Sequence, residues 1–262
     1  MTALYLSRAR LRARRGEALA SIAPLLLSPE PATSLGRAHR IVWMLFQSTP
    51  DVGRDDPAWR ASDDGFLWRD ESDGRLMILS RKPPTDPTGL FDLATKPFEP
   101  ALRAGDRLVF DLRANPTVSS KAAGATGKAD ERGRRRGKRT DVVMHALAGI
   151  PKTDWKEKTG RAFVRDAIVA SAVRDWVTRQ GTSHGFVVSP PESAEIELGL
   201  TIANYAHVPV ERRRGEEPAG ISTVDIKGVV EITDPDAFLD KLARGFGSAK
   251  AFGCGLMLIR RA

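Results

Sequence analysis

Cysteine occurs once, as Cys254, so no disulfide can close within the chain and no zinc site built on several thiolates is available. A lone thiol fits a reducing compartment. Histidine is scarce as well, and His145, His184 and His207 are scattered with no thiolate or paired carboxylate at ligand spacing. Neither a metal centre nor a small-molecule cofactor is therefore expected. No apolar run approaches the ~20 residues that cross a bilayer; the stretch Ile22 to Leu27 is short and contains Pro24. Met1 to Arg15 alternates Leu with Arg and lacks the apolar segment and small-residue cleavage site of a secretory signal, so a cytoplasmic protein without membrane contact is expected. No Gly-Lys-Ser or Gly-Lys-Thr is present to close a nucleotide-phosphate loop.

What is abundant is positive charge. Lys and Arg number 41 against 33 Asp and Glu, a formal net charge of +8. Such a surface attracts a polyanion, and nucleic acid is the first to consider, although a merely solvated cationic face has the same composition. With 41% hydrophobic and 28% charged residues the chain can bury a core, and 262 residues suit two domains.

A first strand is expected around Leu4, Tyr5 and Leu6, then a connection from Gly16 to Pro31. Thr33 or Ser34 can cap a following helix in which Leu35, Ala38, Val42, Leu45 and Phe46 share one face. Phe66 to Arg69 and Leu76 to Ser80 flank Ser72-Asp73-Gly74, a hairpin composition. Strand, helix and hairpin begin a ferredoxin-like βαββαβ unit, whose second helix is poorly defined because residues 83–100 are rich in proline. This first domain is expected over residues 1–103.

The second domain, 104–262, opens with a strand at Leu108 to Leu112. A coreless basic insert over 118–139 follows, then a long helix through Phe163, Val164, Ile168 and Trp176 that Gly181 is placed to end. Strands are expected at Glu195 to Ala203 and Thr223 to Ile232, joined by a basic turn holding Arg212, Arg213 and Arg214. Asp234-Pro235 reads as N-cap and first helical residue, with Phe238, Leu239 and Leu242 facing the core before Gly245. Leu256 to Ile259 supplies the last strand. The fold expected is α+β, two tandem ferredoxin-like domains, an arrangement suited to RNA.

The sharpest motif is the run from Gly245 to Gly255, with Gly245, Gly247, Gly253 and Gly255 in fixed cadence between a helix and a strand. Glycine permits positive φ and lets backbone amides approach a phosphate, and Lys250 adds a mobile cation; a tight turn needing glycine for sterics alone is the other reading. The cadence GxGxxxxxGxG resembles the C-terminal signature of the CRISPR repeat-processing endoribonucleases. Leu4-Tyr5-Leu6-Ser7-Arg8, His39-Arg40-Ile41-Val42-Trp43-Met44-Leu45-Phe46 and Phe110-Asp111-Leu112-Arg113-Ala114-Asn115-Pro116 are similar to its CasE branch, part of Cascade.

This resemblance implies two ferredoxin-like domains and metal-independent cleavage at the 3′ side of a repeat hairpin, leaving 5′-hydroxyl and 2′,3′-cyclic phosphate ends. It also implies as partners the CRISPR repeat RNA hairpin, retained after cutting, and the other Cascade subunits. His39 matches the family's catalytic histidine. Attack by a 2′-hydroxyl needs a base, an acid for the leaving oxygen and positive charge at phosphorus, and an imidazole serves either proton role near neutral pH. By helix geometry alone the favoured reading of His39 is a half-buried structural histidine. Some family members carry a tyrosine where this chain has Gly36, which leaves the second proton-transfer group unassigned. The charge stabiliser is Lys250, Arg40, Arg113 or a residue of an insert. Lys121, Lys128, Arg134, Arg135, Arg136, Lys138 and Arg139 make the insert a cationic arm fitted to RNA phosphates, or a solvated loop.

Overall fold

The computed structural model describes residues 3–12, 39, 41–46, 65–71, 74–120, 138–149, 158–189, 199–210 and 219–262. Strand β1 (Tyr5–Leu11) alternates inward Ser7 and Ala9 with outward Arg8 and Arg10, the period-two pattern of a sheet with one buried face. It pairs antiparallel with β3 (Arg75–Ser80) on one side and β4 (Phe91–Pro97) on the other, and β2 (Phe66–Asp70) closes the sheet in the order β2-β3-β1-β4. The β2–β3 hairpin stands where its turn composition puts it, with Gly74 at φ 69°.

One face of this sheet carries helix α1, of which residues 39 and 41–44 are described as helical. Its Ile41, Val42, Leu45 and Phe46 pack with Trp68, Ile78 and Phe91, and Phe46 stacks on Phe66 at 4.9 Å between centroids. Each such buried side chain contributes about 1.5–3 kcal/mol. The proposed caps Thr33 and Ser34, and Leu35 and Ala38, lie outside the described residues. In one connection the first half departs from the βαββαβ pattern: residues 81–90, between β3 and β4, form turns instead of a second helix. Pro83, Pro84 and Pro87 cannot donate the amide hydrogens a helix requires, and Asp86 instead accepts from the Phe91 amide at 2.6 Å.

In the second half, β5 (Arg107–Ala114) turns Leu108, Phe110, Leu112 and Ala114 inward, and so Asp111 and Arg113 face the other way. The sheet order is β11-β5-β10-β8, the ferredoxin order again, with β8 (Phe186–Val188), β10 (Ala219–Ile232) and β11 (Met257–Arg261). An additional strand, β9 (Leu200–Val210), shares an edge of β10 with β8. The expected strand from residue 195 is met over residues 200–203, where β9 begins, and the ferredoxin position is taken by the three-residue β8. Residues 195–198 lie outside the described residues.

Helix α2 (Val142–Ala148), not foreseen in the sequence, is capped by the Asp141 carboxylate, which accepts from the amides of Val143 and Met144. Helix α3 (Lys158–Ser183) runs through Gly181. That glycine does not stop the helix; a Cβ there would lie 2.4 Å from the Phe186 carbonyl oxygen, so its absence lets β8 close against the helix. Helix α4 (Pro235–Arg244) starts as expected, with Asp234 accepting from the Ala237 amide at 3.0 Å and Pro235 at the first turn. The ends of the basic insert are not coreless coil but a two-stranded ladder, β6 (Thr117–Ser120) with β7 (Lys138–Asp141).

The two halves meet through Leu67 and Leu79 of the first sheet and Leu256, just before β11, all buried, with the partly buried Leu4, Leu6, Met77, Phe98 and Leu258 around them. Beside this contact Arg69, only 8% exposed, reaches from β2 to Asp111 of β5 at 2.7 Å. The position between residues 103 and 104 falls in the connection from β4 to β5.

Candidate functional site

All four glycines of the C-terminal run adopt positive φ, between 73° and 95°, and Ala249 joins them at 57°. The need is close approach. A Cβ on Gly247 would lie 2.6 Å from the Asn115 carbonyl oxygen, and one on Gly255 would lie 2.7 Å from that of Phe246. The loop amides of Phe246, Ser248, Gly253 and Gly255 donate to the carbonyls of Gly255, Asn115, Lys250 and Arg113. These four donors are taken up within the protein, and side-chain cations stand beside them.

Four cations gather there. Lys250, in the 3₁₀ turn Lys250–Phe252, hydrogen-bonds the Arg244 carbonyl at the C-terminus of α4. Lys241 lies 5.1 Å over the Phe246 ring. Arg139 of β7 reaches the Ser248 hydroxyl at 3.4 Å, and that hydroxyl also bonds Thr117 at 2.8 Å. Arg244 pairs with Asp240 on its own helix. Burial, then Lys250 and Arg244, push the Lys241 ammonium down to about 8; burial, then Arg139 and Arg244, lower that of Lys250. Like charges crowded to that degree are a standing attraction for an anion.

His39 faces this loop across one indole. Its ring, half-buried, lies 5.7 Å from Phe66, 6.2 Å from Trp43 and 6.4 Å from Trp68 between centroids. Trp68 is fully buried, and its ring atoms lie 3.2 to 3.4 Å from where a Cβ on Gly253 would stand. Trp43, one turn along α1, donates its indole N–H to His39 Nε2 at 3.0 Å. That assignment leaves the proton of the neutral imidazole on Nδ1.

Arg113, expected as an RNA contact, is held in a two-point pair by Asp225, at 2.8 and 3.2 Å. Asn204 donates to the same carboxylate at 2.9 Å. Burial raises the Asp225 carboxyl, and the bonds from Arg113 and Asn204 outweigh it, holding it below the usual carboxylate range. Cys254, wholly buried in the loop, is pushed up to about 12 by burial, so it is an inert thiol.

Of the remaining expected contacts, the Lys138 backbone stands in β7. Lys121, Lys128, Arg134, Arg135 and Arg136 lie outside the described residues, as do Arg40, Gly36 and Arg212 to Arg214. Lys241, Arg244 and Trp68 went unrecognised in the sequence. The two cations had a signal, basic residues three apart in the last turn of a helix that ends on a glycine-rich loop; Trp68 had none, because its partners are remote in the chain. Among the described residues no three His, Cys, Asp or Glu side chains cluster as ligands for a metal, and no helix is long and apolar enough to cross a membrane.

Residues 4–261 match the family model described as CRISPR associated protein. The CRISPR-associated endoribonuclease Cse3 of Thermus thermophilus is 30% identical over 168 residues, covering 63% of this chain and 60% of that protein, so the match spans less than two thirds of the relative's length. The CRISPR system Cascade subunit CasE of Escherichia coli is 25% identical over 237 residues, 85% of this chain and 90% of that one. In three dimensions, a solved structure of CRISPR endoribonuclease Cse3 bound to 19 nt RNA superposes with a TM-score of 0.63 at 22% identity, covering 99% of both chains. This likeness is one of fold.

Proposed function

The chain belongs to the CasE/Cse3 family of CRISPR-associated proteins, and from that membership we propose that it is an endoribonuclease that cuts CRISPR precursor RNA within its repeats. In this reading the cut falls at the 3′ side of the repeat hairpin by attack of the adjacent 2′-hydroxyl, without metal, and leaves 5′-hydroxyl and 2′,3′-cyclic phosphate ends. The mature guide RNA stays bound, in company with the other Cascade subunits, in the cytoplasm. Residues 1–103 supply the histidine, and residues 104–262 grip the hairpin.

The observation that carries this reading is the placement of His39 one indole away from the loop flanked by Lys241, Arg244, Lys250 and Arg139. Phosphoryl cleavage needs a proton carrier beside concentrated positive charge, and the approach of both His39 and the glycine-rich loop to Trp68 supports pairing the two. His39 is the proton-transfer residue. The cations, with the basic arm from Lys121 to Arg139, hold the RNA phosphates. With Nε2 engaged by Trp43, His39 must release that bond before this nitrogen can meet the RNA; catalytic geometry of this kind commonly forms only in the substrate complex.

The same hydrogen bond favours a second reading, a non-catalytic subunit that binds the RNA hairpin while His39 only packs. Incubation with the host's own repeat RNA in excess chelator separates the two. The nuclease reading expects a single mapped cut that His39→Ala slows by about 10²–10⁴-fold with unchanged RNA affinity. Tight binding with no wild-type cut leaves the binding subunit.

A further inference from the structure

Strand β1 turns the buried Ser7 and Ala9 toward α1, so the alternating Arg8 and Arg10 stand on the other face of the first sheet. The register places Met77 of β3 and Ala94 of β4 on either side of Arg8, Arg75 and Asp92 on either side of Arg10, and Leu79 and Lys96 on either side of Leu6, all on that same face. At one end Leu6 and Leu79 pack with Leu256 and Leu258 of the second half. The rest lies open, with Arg8, Arg10, Ala94 and Lys96 exposed. The proposed reaction uses nothing on this face. We propose that it is a second RNA surface, which holds the phosphates of an unpaired stretch adjoining the repeat hairpin; the proposal rests on the RNA-cutting function above.

Charge selects the occupant. At the paired positions of β3, β1 and β4 on this face the carboxylate is Asp92, and Arg12 already holds it at 2.6 Å. Glu71, just past β2, is taken by Arg69 at 2.8 Å. Arg8, Arg10 and Lys96 make no hydrogen bond or ion pair among the described residues. An apolar surface seated over them would bury three cations unpaired, which is costly. A polyanion pairs each of them through charge-assisted bonds and releases its own counterions in doing so.

Spacing agrees. Alternate residues of a strand stand about 6.7 Å apart, close to the repeat of phosphates along an extended nucleic-acid chain. Arg8 and Arg10 can therefore each take one phosphate, and Lys96, diagonal to Arg8 across the β1–β4 pair, can take another. No aromatic side chain stands at these paired positions to stack a base, so the surface grips backbone and does not read sequence. Helix α1 with His39 lies against the opposite face of the sheet. The stem belongs, in the reading above, to the loop cations and the basic arm, so the RNA that reaches this face is chain outside the stem.

The test measures affinity, so that it stands apart from cleavage. Two repeat RNAs are compared, the hairpin alone and the same hairpin with its unpaired flanks, each made uncuttable by a 2′-deoxy sugar at the mapped site, or at every nucleotide 3′ of the stem if no cut is seen. Wild type is expected to bind the flanked RNA about tenfold more tightly, with a log–log salt slope steeper by about two units for three phosphate contacts on a single strand. The triple variant Arg8→Gln, Arg10→Gln, Lys96→Gln should bind the bare hairpin as wild type does and lose the advantage of the flanks. Arg8→Lys with Arg10→Lys should keep most of that advantage, because a phosphate accepts either cation. Equal wild-type affinity for the two RNAs overturns the surface, and so does a triple variant that keeps the full advantage or weakens both RNAs alike. A triple variant that keeps the advantage but no longer joins the other Cascade subunits overturns it too and gives the face to a protein partner. A wild-type protein that shows the flank effect but cuts no RNA sinks the nuclease reading and leaves the surface standing.

Discussion

Trp43 donates its indole N–H to Nε2 of His39 at 3.0 Å, one turn along the same helix. In the proposed cleavage mechanism that bond must open for Nε2 to meet the RNA, and a part-buried hydrogen bond is worth about 1 kcal/mol. Trp43→Phe keeps a ring against Phe66, whose centroid now lies 5.2 Å from that of Trp43, and removes the donor. Single-turnover cleavage by this variant is expected to rise by up to about fivefold, with RNA affinity unchanged. A large fall in rate would mean that the bond holds the imidazole ready for reaction.

The glycines of the loop differ in what an added methyl would strike. At Gly247 it meets the Asn115 carbonyl oxygen at 2.6 Å, a backbone atom that cannot turn aside; at Gly253 it meets only the edge of the Trp68 ring at 3.2 Å. Both positions have positive φ, which costs any substitution about 1–2 kcal/mol. Denaturant unfolding should therefore find Gly247→Ala the more destabilised, by about 3 kcal/mol or more, against about 1–2 kcal/mol for Gly253→Ala. The reverse order would show that the contacts at Asn115 yield.

These contrasts mark where the sequence is legible. The cap Asp234 with Pro235, and the hairpin closing at Gly74, are local, set by residues a few positions apart. The alternation of Leu108, Phe110 and Leu112 likewise announces β5 within its own length. By contrast, the approach of Trp68 to Gly253 and of Arg69 to Asp111 joins residues far apart in the chain, and no spacing rule reports a contact between sheets. Gly181 misled because a glycine tolerated inside a helix for the sake of Phe186 looks, in one dimension, like a stop. β8 has three residues, too few for a period to register. His39 was identified by resemblance, and its aromatic surroundings became visible only in three dimensions.

Arg69 ties the two sheets together. It bonds Asp111 at 2.7 Å and lies 2.8 Å from Glu71, while Lys227 reaches Asp111 at 3.1 Å. Burial raises the Asp111 carboxyl, but the bonds from Arg69 and Lys227 prevail and hold it below its ordinary value. Arg69→Leu leaves Asp111 with Lys227 as its remaining partner among the described residues and is expected to cost about 1–3 kcal/mol, whereas Arg69→Leu with Asp111→Leu should cost clearly less than the sum of the two single changes. A group with a depressed folded pKa stabilises above its unfolded value, about 3.9, and that contribution disappears as the pH falls through the folded pKa. Acid unfolding followed from pH 5 downward should thus be less steep in the double variant. Strict additivity at neutral pH would dismiss the bridge as a stabilising contact.

Lys241 provides a test of the cation group by pH alone. Burial, with Lys250 and Arg244 nearby, lowers its ammonium to about 8 against an ordinary value near 10.5. Between those two values the unfolded chain holds a proton that the folded chain has released, so this group makes the free protein more stable as the pH rises through that window. RNA has the opposite effect. A phosphate beside Lys241 favours the charged form, so binding takes up a proton above pH 8 and affinity falls as the pH is raised. At constant ionic strength the wild type should bind repeat RNA up to about tenfold more weakly at pH 9 than at pH 7. Lys241→Arg keeps its charge throughout and retains a cation for the Phe246 face, so its affinity should be nearly level across the same range. If the variant shows the same fall as the wild type, the proton belongs to another group, and Lys241 stands away from the phosphates.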